Sequence, residues 1–447
     1  MGLVYPLPTM RSAQAPREID LESCLGKTVL VVGGGGREHA IVGALSRSPQ
    51  VSKIYCAPGN AGIGELAFNV PLKDTDVEGL KTFALENHVD LTVVGPESAL
   101  AAGIVDAFRA AGLRIFGHTQ AAARIESSKE FAKQLMEKYG VPTAAYRSFT
   151  DYEEARNYVA GRPFPAVLKY DGLAAGKGVV IAADLAEAEA ALKDMLLDGR
   201  FGAGKVVIED YLTGPEFSFM CFVDGAKVYP MPLAQDHKRA FDGDKGPNTG
   251  GMGAYTGLSF ISGEQRAFAL QRILQRTAEA MVAEGCPLSG VLYGGLMATP
   301  DGVKVIEFNC RFGDPETEVV LPLLESDAYD IFSAVADGKA PEREPQWSTD
   351  VTMGVVLASK GYPGSYEKGY EIKGMPQDGT LVYHMGTKID GGVLKTAGGR
   401  VLMCINRGAT LEEAAARTYA AVRGIDCPAL FYRSDIAHYE LDRRKEL

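Results

Sequence analysis

The sequence predicts an α/β protein of several domains. Three observations carry that prediction. Short apolar runs with strand character alternate with stretches of helical spacing over the first hundred or so residues. The 52 glycines cluster in the loops between such runs, unlike a disordered tail. The chain, at 447 residues, is too long for one hydrophobic core, so about three domains are expected.

Composition narrows the function. Hydrophobic content of 46% and charged content of 23% are those of an ordinary globular protein. A net charge of −11 argues against nucleic acid as a partner, which would require a basic field. It leaves an anionic small-molecule site open, because local lysines decide that. No apolar run reaches membrane-spanning length, so no membrane partner is expected. Seven scattered cysteines without a C-x-x-C read as reduced thiols in a reducing compartment, the cytoplasm. Met1 to Gly26 holds Pro6, Pro8 and Pro16 and lacks the apolar core of a secretory signal. It reads as a variable, mobile extension.

From residue 27 the elements follow in order. Thr28 to Val32 reads as a buried strand, then comes the turn Gly33-Gly34-Gly35-Gly36-Arg37, then a helix over Glu38 to Ser46. Strand, glycine turn and helix together suit an anion, met by backbone N–H groups and the helix dipole. The dinucleotide fingerprint fails, because its last glycine position falls on Glu38 or His39, and the acidic residue after the second strand is missing. Strands over Asp90 to Val94 and Arg114 to Phe116, with helices over Val77 to Asn87 and Ala99 to Ala111, complete a domain over residues 27–127.

The next unit, residues 128–207, opens with a helix to Tyr139 capped by Ser127 or Ser128 and carrying Lys129. Pro165 to Tyr170 and Val179 to Ala182 read as strands joined by Asp171 to Gly178. That loop is a near miss for a P-loop, with one residue too few and a strand in place of the helix. A glycine-rich flap between strands lets backbone lie over phosphates, with Lys169 and Lys177 adding charge; a flexible hairpin with two exposed lysines is the plain alternative. After the strand Lys205 to Glu209, the run Asp210 to Ser218 reads as a hinge and a second strand. Exposed backbone there suits an adenine edge, and Glu216 suits ribose hydroxyls.

Residues 208–339 continue with Gln235-Asp236-His237-Lys238-Arg239 and the polar, glycine-dense stretch Gly243 to Gly257. A structureless run of that length in a compact domain is usually a functional loop or a disordered one. His237 has no partner at metal-ligand spacing and reads as an ordinary polar residue. A helix over Gly263 to Glu284 precedes strands Gly290 to Met297 and Lys304 to Phe308. The last strand ends in Glu307-Phe308-Asn309, and side chains two apart share a face. Two hard oxygens side by side suit Mg²⁺. Arg311 offers a planar fork to a phosphate. Taken alone, Glu-x-Asn is short and common, and a charged turn closing a hairpin reads the same. Residues 340–447 hold short strands and a helix from Thr410, with Glu413 completing a capping-box pattern; no chemistry concentrates there.

The stretches Val31 to Ala40, Asp171 to Val179, Gln235 to Arg239, Gly246 to Tyr255 and Glu307 to Glu316 together resemble the phosphoribosylamine–glycine ligase family of the ATP-grasp superfamily. The similarity runs from about Lys27 to about Asp435. The resemblance implies an ATP-grasp architecture with an N-terminal Rossmann-like (pre-ATP-grasp) domain and a C-terminal mixed α/β domain. It implies that ATP drives ligation of glycine to 5-phosphoribosylamine through a glycyl phosphate, in purine synthesis, by a monomer. Glu307 and Asn309 resemble the Mg²⁺ or Mn²⁺ ligands. Lys129, Lys169, Gly176, Lys177 and Gly178 match the phosphate-holding lysines and the lid. Glu209, Tyr211 and Leu212 match the adenine hinge, and Glu216 the ribose acceptor. Gly35, Gly36, Arg37, Glu38, Asp236, Lys238, Asn248, Thr249, Gly250, Gly251, Met252 and Gly253 fall on the acceptor side, with Arg311 and Asp314 as catalytic candidates. Glu318 stands where many relatives carry Gln, outside the metal pair, and little effect is expected. Three other readings stay open: a carboxylase or formate-using ligase of the same superfamily, a nicotinamide-dependent oxidoreductase, and a non-catalytic nucleotide sensor.

Overall fold

Val29 to Val32 are wholly buried because their strand, β1 (Lys27–Gly33), is the middle of a parallel sheet covered on both faces. The computed structural model describes residues 26–172, 178–198, 204–339, 341 and 343–446; nearly all of the predicted N-terminal extension lies outside them. The sheet is completed by β2 (Val51–Pro58), β3 (Phe68–Asn69), β4 (Leu91–Val94) and β5 (Ile115–Phe116), in the order β3-β2-β1-β4-β5. Helix α1 (Gly36–Leu45) starts two residues earlier than predicted, so Gly36 and Arg37 belong to its first turn. After α2 (Val77–Glu86), the single helix expected over Ala99 to Ala111 is two, α3 (Glu97–Ala101) and α4 (Ile104–Ala110). Gly103 separates them at φ +82°, a conformation that suits glycine.

A second unit begins with α5 (Arg124–Ser127) and α6 (Lys129–Tyr139). Ser128 caps α6, its hydroxyl accepting from the Phe131 amide at 3.2 Å. Strands β6 (Tyr146–Phe149), β7 (Ala166–Tyr170), β8 (Val179–Ala182) and β9 (Val206–Asp210) form an antiparallel sheet, order β6-β9-β7-β8. Helices α7 (Tyr152–Ala160) and α8 (Leu185–Leu196) pack on it around a separate core that includes Leu168, Leu192 and Ile208.

The third unit holds β10 (Glu216–Asp224), β11 (Lys227–Pro230), β12 (Ala234–Asp236), β13 (Arg239–Phe241), β14 (Lys245–Asn248) and β15 (Gly253–Thr256). The glycine-dense stretch Gly243 to Gly257 is therefore not structureless. Its first part pairs as the β13–β14 hairpin, and its last part enters a large sheet between neighbouring strands. Helices α9 (Gly263–Phe268) and α10 (Arg276–Ala283) are joined by a π-helical stretch, Ala269–Gln275. Then come β16 (Ser289–Thr299), β17 (Gly302–Asn309), α11 (Glu316–Val320) and α12 (Ala328–Ala336).

The last unit has β18 (Val351–Ser359), β19 (Leu381–His384), β20 (Thr387–Asp390), β21 (Val393–Thr396), β22 (Arg400–Gly408), α13 (Leu411–Gly424), β23 (Leu430–Phe431) and α14 (His438–Glu446). Its sheet is not separate from that of the third unit. One antiparallel path runs β17-β16-β10-β12-β15-β18-β22-β19, with β11 and β23 on its flanks. At α13, Thr410 caps as predicted, but Glu413 accepts from Ala409 at 3.2 Å rather than from the cap residue itself.

Phe116, Phe222, Phe312 and Phe332 meet with ring centroids 4.8 to 6.5 Å apart. This cluster joins the first unit to the large sheet and anchors the chain on either side of Phe312.

Candidate active site

The end of β17 faces a cavity closed on the opposite side by the four-stranded sheet. Strict alternation along β17 would put Glu307 on the same face as Val303 and Val305, which lie in the core. It does not lie there. Gly295 pairs with Glu307 and Leu296 with Val305, so Ile306 is an extra residue, a β-bulge. The bulge exchanges the faces beyond it. Phe308 joins Val303 and Val305 in the core, and Glu307 and Asn309 line the cavity. The sequence placed Glu307 and Asn309 on one face correctly, but which face depends on Ile306.

Ile306 has a second role. Its carbonyl oxygen accepts from Lys169 Nζ at 2.9 Å, linking β7 to β17. Lys169 also pairs with Glu209 Oε1 at 2.9 Å, and Lys133 pairs with Glu209 Oε2 at 2.8 Å. All three side chains are buried. Lys133 donates further to Thr143 Oγ1 at 2.8 Å. Burial pushes Lys133 down to about 8, with Glu209 opposing. Glu209, expected at an adenine hinge, therefore uses its carboxylate to hold two lysines. Tyr211 and Leu212 follow β9 outside the cavity lining, and Tyr211 is exposed.

Lys129, first residue of α6, donates to the Gly172 carbonyl at 3.0 Å, tying that helix to the first leg of the glycine flap. Asp171 Oδ1 accepts from the Glu130 amide at 3.1 Å in the same junction. Gly178 lines the cavity from the second leg. Gly176 and Lys177 lie outside the described residues. Burial would push the Glu307 carboxyl up, yet Lys238, Lys169, Lys129 and Arg311 together hold it below its ordinary range. An ionised carboxylate and an amide oxygen thus face a cluster of cations, a donor set that fits a hard divalent ion and phosphate oxygens.

Arg311 is held rather than free. Its Nε lies 3.3 Å from Glu97 Oε2 and its Nη2 3.1 Å from Glu126 Oε1, with Asn309 Oδ1 at 3.3 Å. On the acceptor side, Gly35 is the N-cap of α1, and its amide donates to Glu38 Oε2 at 2.7 Å. Arg37 pairs with Glu38 at 2.6 Å and donates to the Phe312 carbonyl at 3.2 Å. Both side chains are buried, so Arg37 braces the loop instead of presenting a charge. Gly36 sits under Glu318: a Cβ there would lie 2.5 Å from Glu318 Oε1.

Lys238 and Glu216 form a half-exposed pair at 2.9 Å. Beside them burial pushes Asp236 up to about 7; Lys238 opposes this and Glu316 and Glu216 add to it. Thr249 is fixed by two bonds to the Lys238 carbonyl, at 2.7 and 2.8 Å. The Gly250 amide donates to Tyr362 Oη at 2.9 Å, and its carbonyl accepts from Arg400 at 2.6 Å. Gly251, at φ +111°, packs on Pro315, where a Cβ would come within 2.4 Å. Asn248 is exposed at the end of β14. Met252 is wholly buried, and Gly253 opens β15, where its carbonyl accepts from His237. Their side of the motif builds the sheet, because β15 needs core contacts there. Asp314 pairs with Arg400 at 2.9 Å. His237 is not an ordinary polar residue: it is buried, stacks on Tyr439 and accepts from the Ala437 amide.

Sequence reasoning missed Lys133, Glu97, Glu126 and Arg400. Lys133 had a signal, lying one helical turn beyond Lys129. Arg400 had none, since it reaches the site from the last unit, which was expected to hold no chemistry. The six described cysteines are all buried and unpaired.

Three family models match the chain: the N domain of phosphoribosylglycinamide synthetase over residues 27–126, its ATP-grasp (A) domain over 127–317 and its C domain over 352–439. The chain is 51% identical to a phosphoribosylamine–glycine ligase of Halalkalibacterium halodurans over 420 residues, covering 93% of this chain and 98% of that one. It is 48% identical to the enzyme so named in Salmonella typhimurium over 426 residues, covering 93% and 99%. The crystal structure of a phosphoribosylamine–glycine ligase from Thermotoga maritima superposes with a TM-score of 0.81 at 33% identity, covering 91% and 99%. A biotin carboxylase domain from Hydrogenobacter thermophilus, in complex with MgADP and bicarbonate, matches with a TM-score of 0.71 at 16% identity, over 91% of each chain, and shows the shared fold.

Proposed function

The chain belongs to the phosphoribosylglycinamide synthetase family, and on that premise we propose that it joins glycine to 5-phosphoribosylamine with ATP, giving glycinamide ribonucleotide, ADP and phosphate. The observation that carries this reading is the convergence of Lys129, Lys169, Glu307, Asn309 and Arg311 on one cavity beside the acceptor loops.

A carboxylate is a poor electrophile, so glycine must first be activated. Its carboxylate oxygen attacks the γ-phosphorus of ATP, the bond to ADP breaks, and glycyl phosphate forms. The amine nitrogen of phosphoribosylamine then attacks the glycyl carbon and expels phosphate. Such transfers rely on positioning and charge neutralisation more than on a protein nucleophile. Lys129 and Lys169 hold phosphate oxygens in place, and Glu209 orients Lys169. Glu307 and Asn309 would hold Mg²⁺ or Mn²⁺, which when bound offsets phosphate charge. Arg311, braced by Glu97 and Glu126, keeps its guanidinium at the junction of the nucleotide and acceptor sides. The flap around Gly172 and Gly178 excludes water, which would otherwise hydrolyse the acyl phosphate. In this reading residues 27–127 carry acceptor binding, 128–207 the lid, and 208–339 the metal strand. The enzyme acts as a cytoplasmic monomer; none of its described helices is long and apolar enough to cross a membrane.

The test is ADP release with each substrate omitted in turn. Release that requires both glycine and phosphoribosylamine is the expected result. Release driven by bicarbonate or formate in their place would overturn the reading. Sedimentation at working concentration tests the monomer.

A further inference from the structure

Glu318, in α11, is wholly buried, and neither of its carboxyl oxygens has a hydrogen-bond donor. What it faces is another acid: adjacent glycines of the α1 turn pack on the two carboxyls, a Cβ on Gly36 lying 2.5 Å from Glu318 Oε1 and one on Gly35 3.6 Å from Asp314 Oδ2. The cation facing the pair is Arg400 of β22, and its Nη1 is already engaged. That atom lies 2.9 Å from Asp314 Oδ1, 3.2 Å from the Asp314 carbonyl and 2.6 Å from the Gly250 carbonyl. From α1, Gly36 packs directly against Glu318 Oε1, with Met385 beside it. From β19 comes Tyr383, whose phenol burial pushes up, away from ionisation. Two ionised carboxylates would share this one guanidinium, because Arg37, the other cation that acts on Asp314, is already paired with Glu38, and they would leave an uncompensated charge at the wholly buried Glu318. Proteins relieve that arrangement by taking up a proton. Burial first, and then Asp314, push Glu318 well above the ordinary carboxyl range, with Arg400 opposing.

We propose that Glu318 is a positioning residue kept as a neutral acid, its hydroxyl donating to Asp314. With Arg400, this bridge ties the glycine turn of α1, the Asp314 loop and the Gly250 loop into one wall of the acceptor site. The role in the acceptor site rests on the ligase reading; the shared proton does not.

The folded protein binds this proton and the unfolded chain releases it above the ordinary glutamate value. The stabilisation is therefore complete below that value and declines as pH rises toward the folded one. The experiment compares full-length wild type, E318Q and E318L. Melting temperatures are recorded from about pH 6 to about pH 9, a range in which an unfolded glutamate is already ionised. Wild type should lose stability relative to E318Q steadily across that range, because Gln has no proton to lose. At neutral pH, E318Q should keep kcat/KM for glycine and for the amine within a few-fold of wild type. E318L, with the shape but no donor, should lose about 10–100-fold. Parallel pH–melting curves for wild type and E318Q would overturn the proposal, as would wild-type kcat/KM in E318L. Should E318L fail to fold, the comparison with E318Q still decides. Diverging melting curves in a protein that makes no glycinamide ribonucleotide would defeat the ligase reading and leave the proton bridge standing.

Discussion

Lys169 donates to the backbone carbonyl of Ile306 across 2.9 Å, from an inner strand of one sheet to the bulge at the edge of another. The bond places an ammonium group beside Glu307 without spending the Glu307 carboxylate. Replacing Lys169 by Met removes both the cross-sheet bond and one of the two partners of Glu209. We expect kcat/KM for ATP to fall by about 10²–10³-fold, the usual effect of deleting one preorganised charge contact. Steady-state kinetics with ATP varied would show it; a loss below tenfold would remove Lys169 from the phosphate site.

The metal pair gives a second expectation. Glu307→Ala and Asn309→Ala should each lower kcat by roughly 10² or more while the protein remains folded. Near-normal turnover of both at saturating Mg²⁺ would remove the assignment. Circular dichroism run alongside separates loss of the site from loss of the fold.

Lys133 supplies a pH-dependent test. Its folded value of about 8 lies below its ordinary value of 10.5, so between those limits the unfolded chain binds more protons than the folded one. Its contribution therefore makes folding more favourable as pH rises through that window. The variant Lys133→Met lacks this term and leaves Glu209 and Thr143 each short of a partner. It should be destabilised by about 3 kcal/mol at neutral pH, as when one member of a buried pair is removed. The gap to wild type should widen from about pH 8 to about pH 10. Urea melts at several pH values measure both; a gap that narrows contradicts the assignment.

Arg433 concerns the acceptor loop. Its guanidinium is fully buried and reaches Asp244 at 2.8 Å, Asp435 at 2.7 and 2.9 Å, and the Arg239 carbonyl at 3.1 Å. These bonds clamp the β13–β14 hairpin to the C-terminal segment. Arg433→Ala takes the guanidinium from two carboxylates, leaving Asp244 with Tyr439 and Asp435 with the Gly243 amide, and should cost about 3 kcal/mol. Limited proteolysis should then cut near Asp242 to Asp244, and KM for glycine or the amine should rise. Unchanged cleavage would show that the hairpin holds without the clamp.

The parts of this molecule that were readable from sequence are those fixed by local pattern. Thr28 to Val32 read as a buried strand, the cap of α6 fell on Ser127 or Ser128, of which Ser128 caps, and Glu307 and Asn309 read as sharing a face. What was not readable depended on distant partners. Gly253 to Thr256 lies in the glycine-dense stretch that read as a loop, yet it is a strand because β12 and β18 supply ladders on both sides. The bulge at Ile306 leaves no mark in composition, yet it decides whether Glu307 meets solvent-filled space or core. Arg37 was expected on the acceptor side from the family resemblance, and Glu38 next to it takes up its charge. Arg400 contributes from 86 and 150 residues away and Arg433 from 189 and 194, where no spacing rule operates.

The ladder between β15 and β18 limits how the enzyme can change shape. Swinging the C-terminal strands away would tear backbone hydrogen bonds from the middle of an eight-strand path, next to the loop that Arg400 and Tyr362 hold. The sheet β6-β9-β7-β8 has its own core, and the chain leading into it meets β17 through the bridge of Thr143 to Val305, where the Val305 amide donates to the Pro142 carbonyl at 2.8 Å. In the proposed reaction, opening and closing would fall to that sheet moving against a fixed frame, with the bond from Lys169 to Ile306 and the bridge at Thr143 on the seam between them.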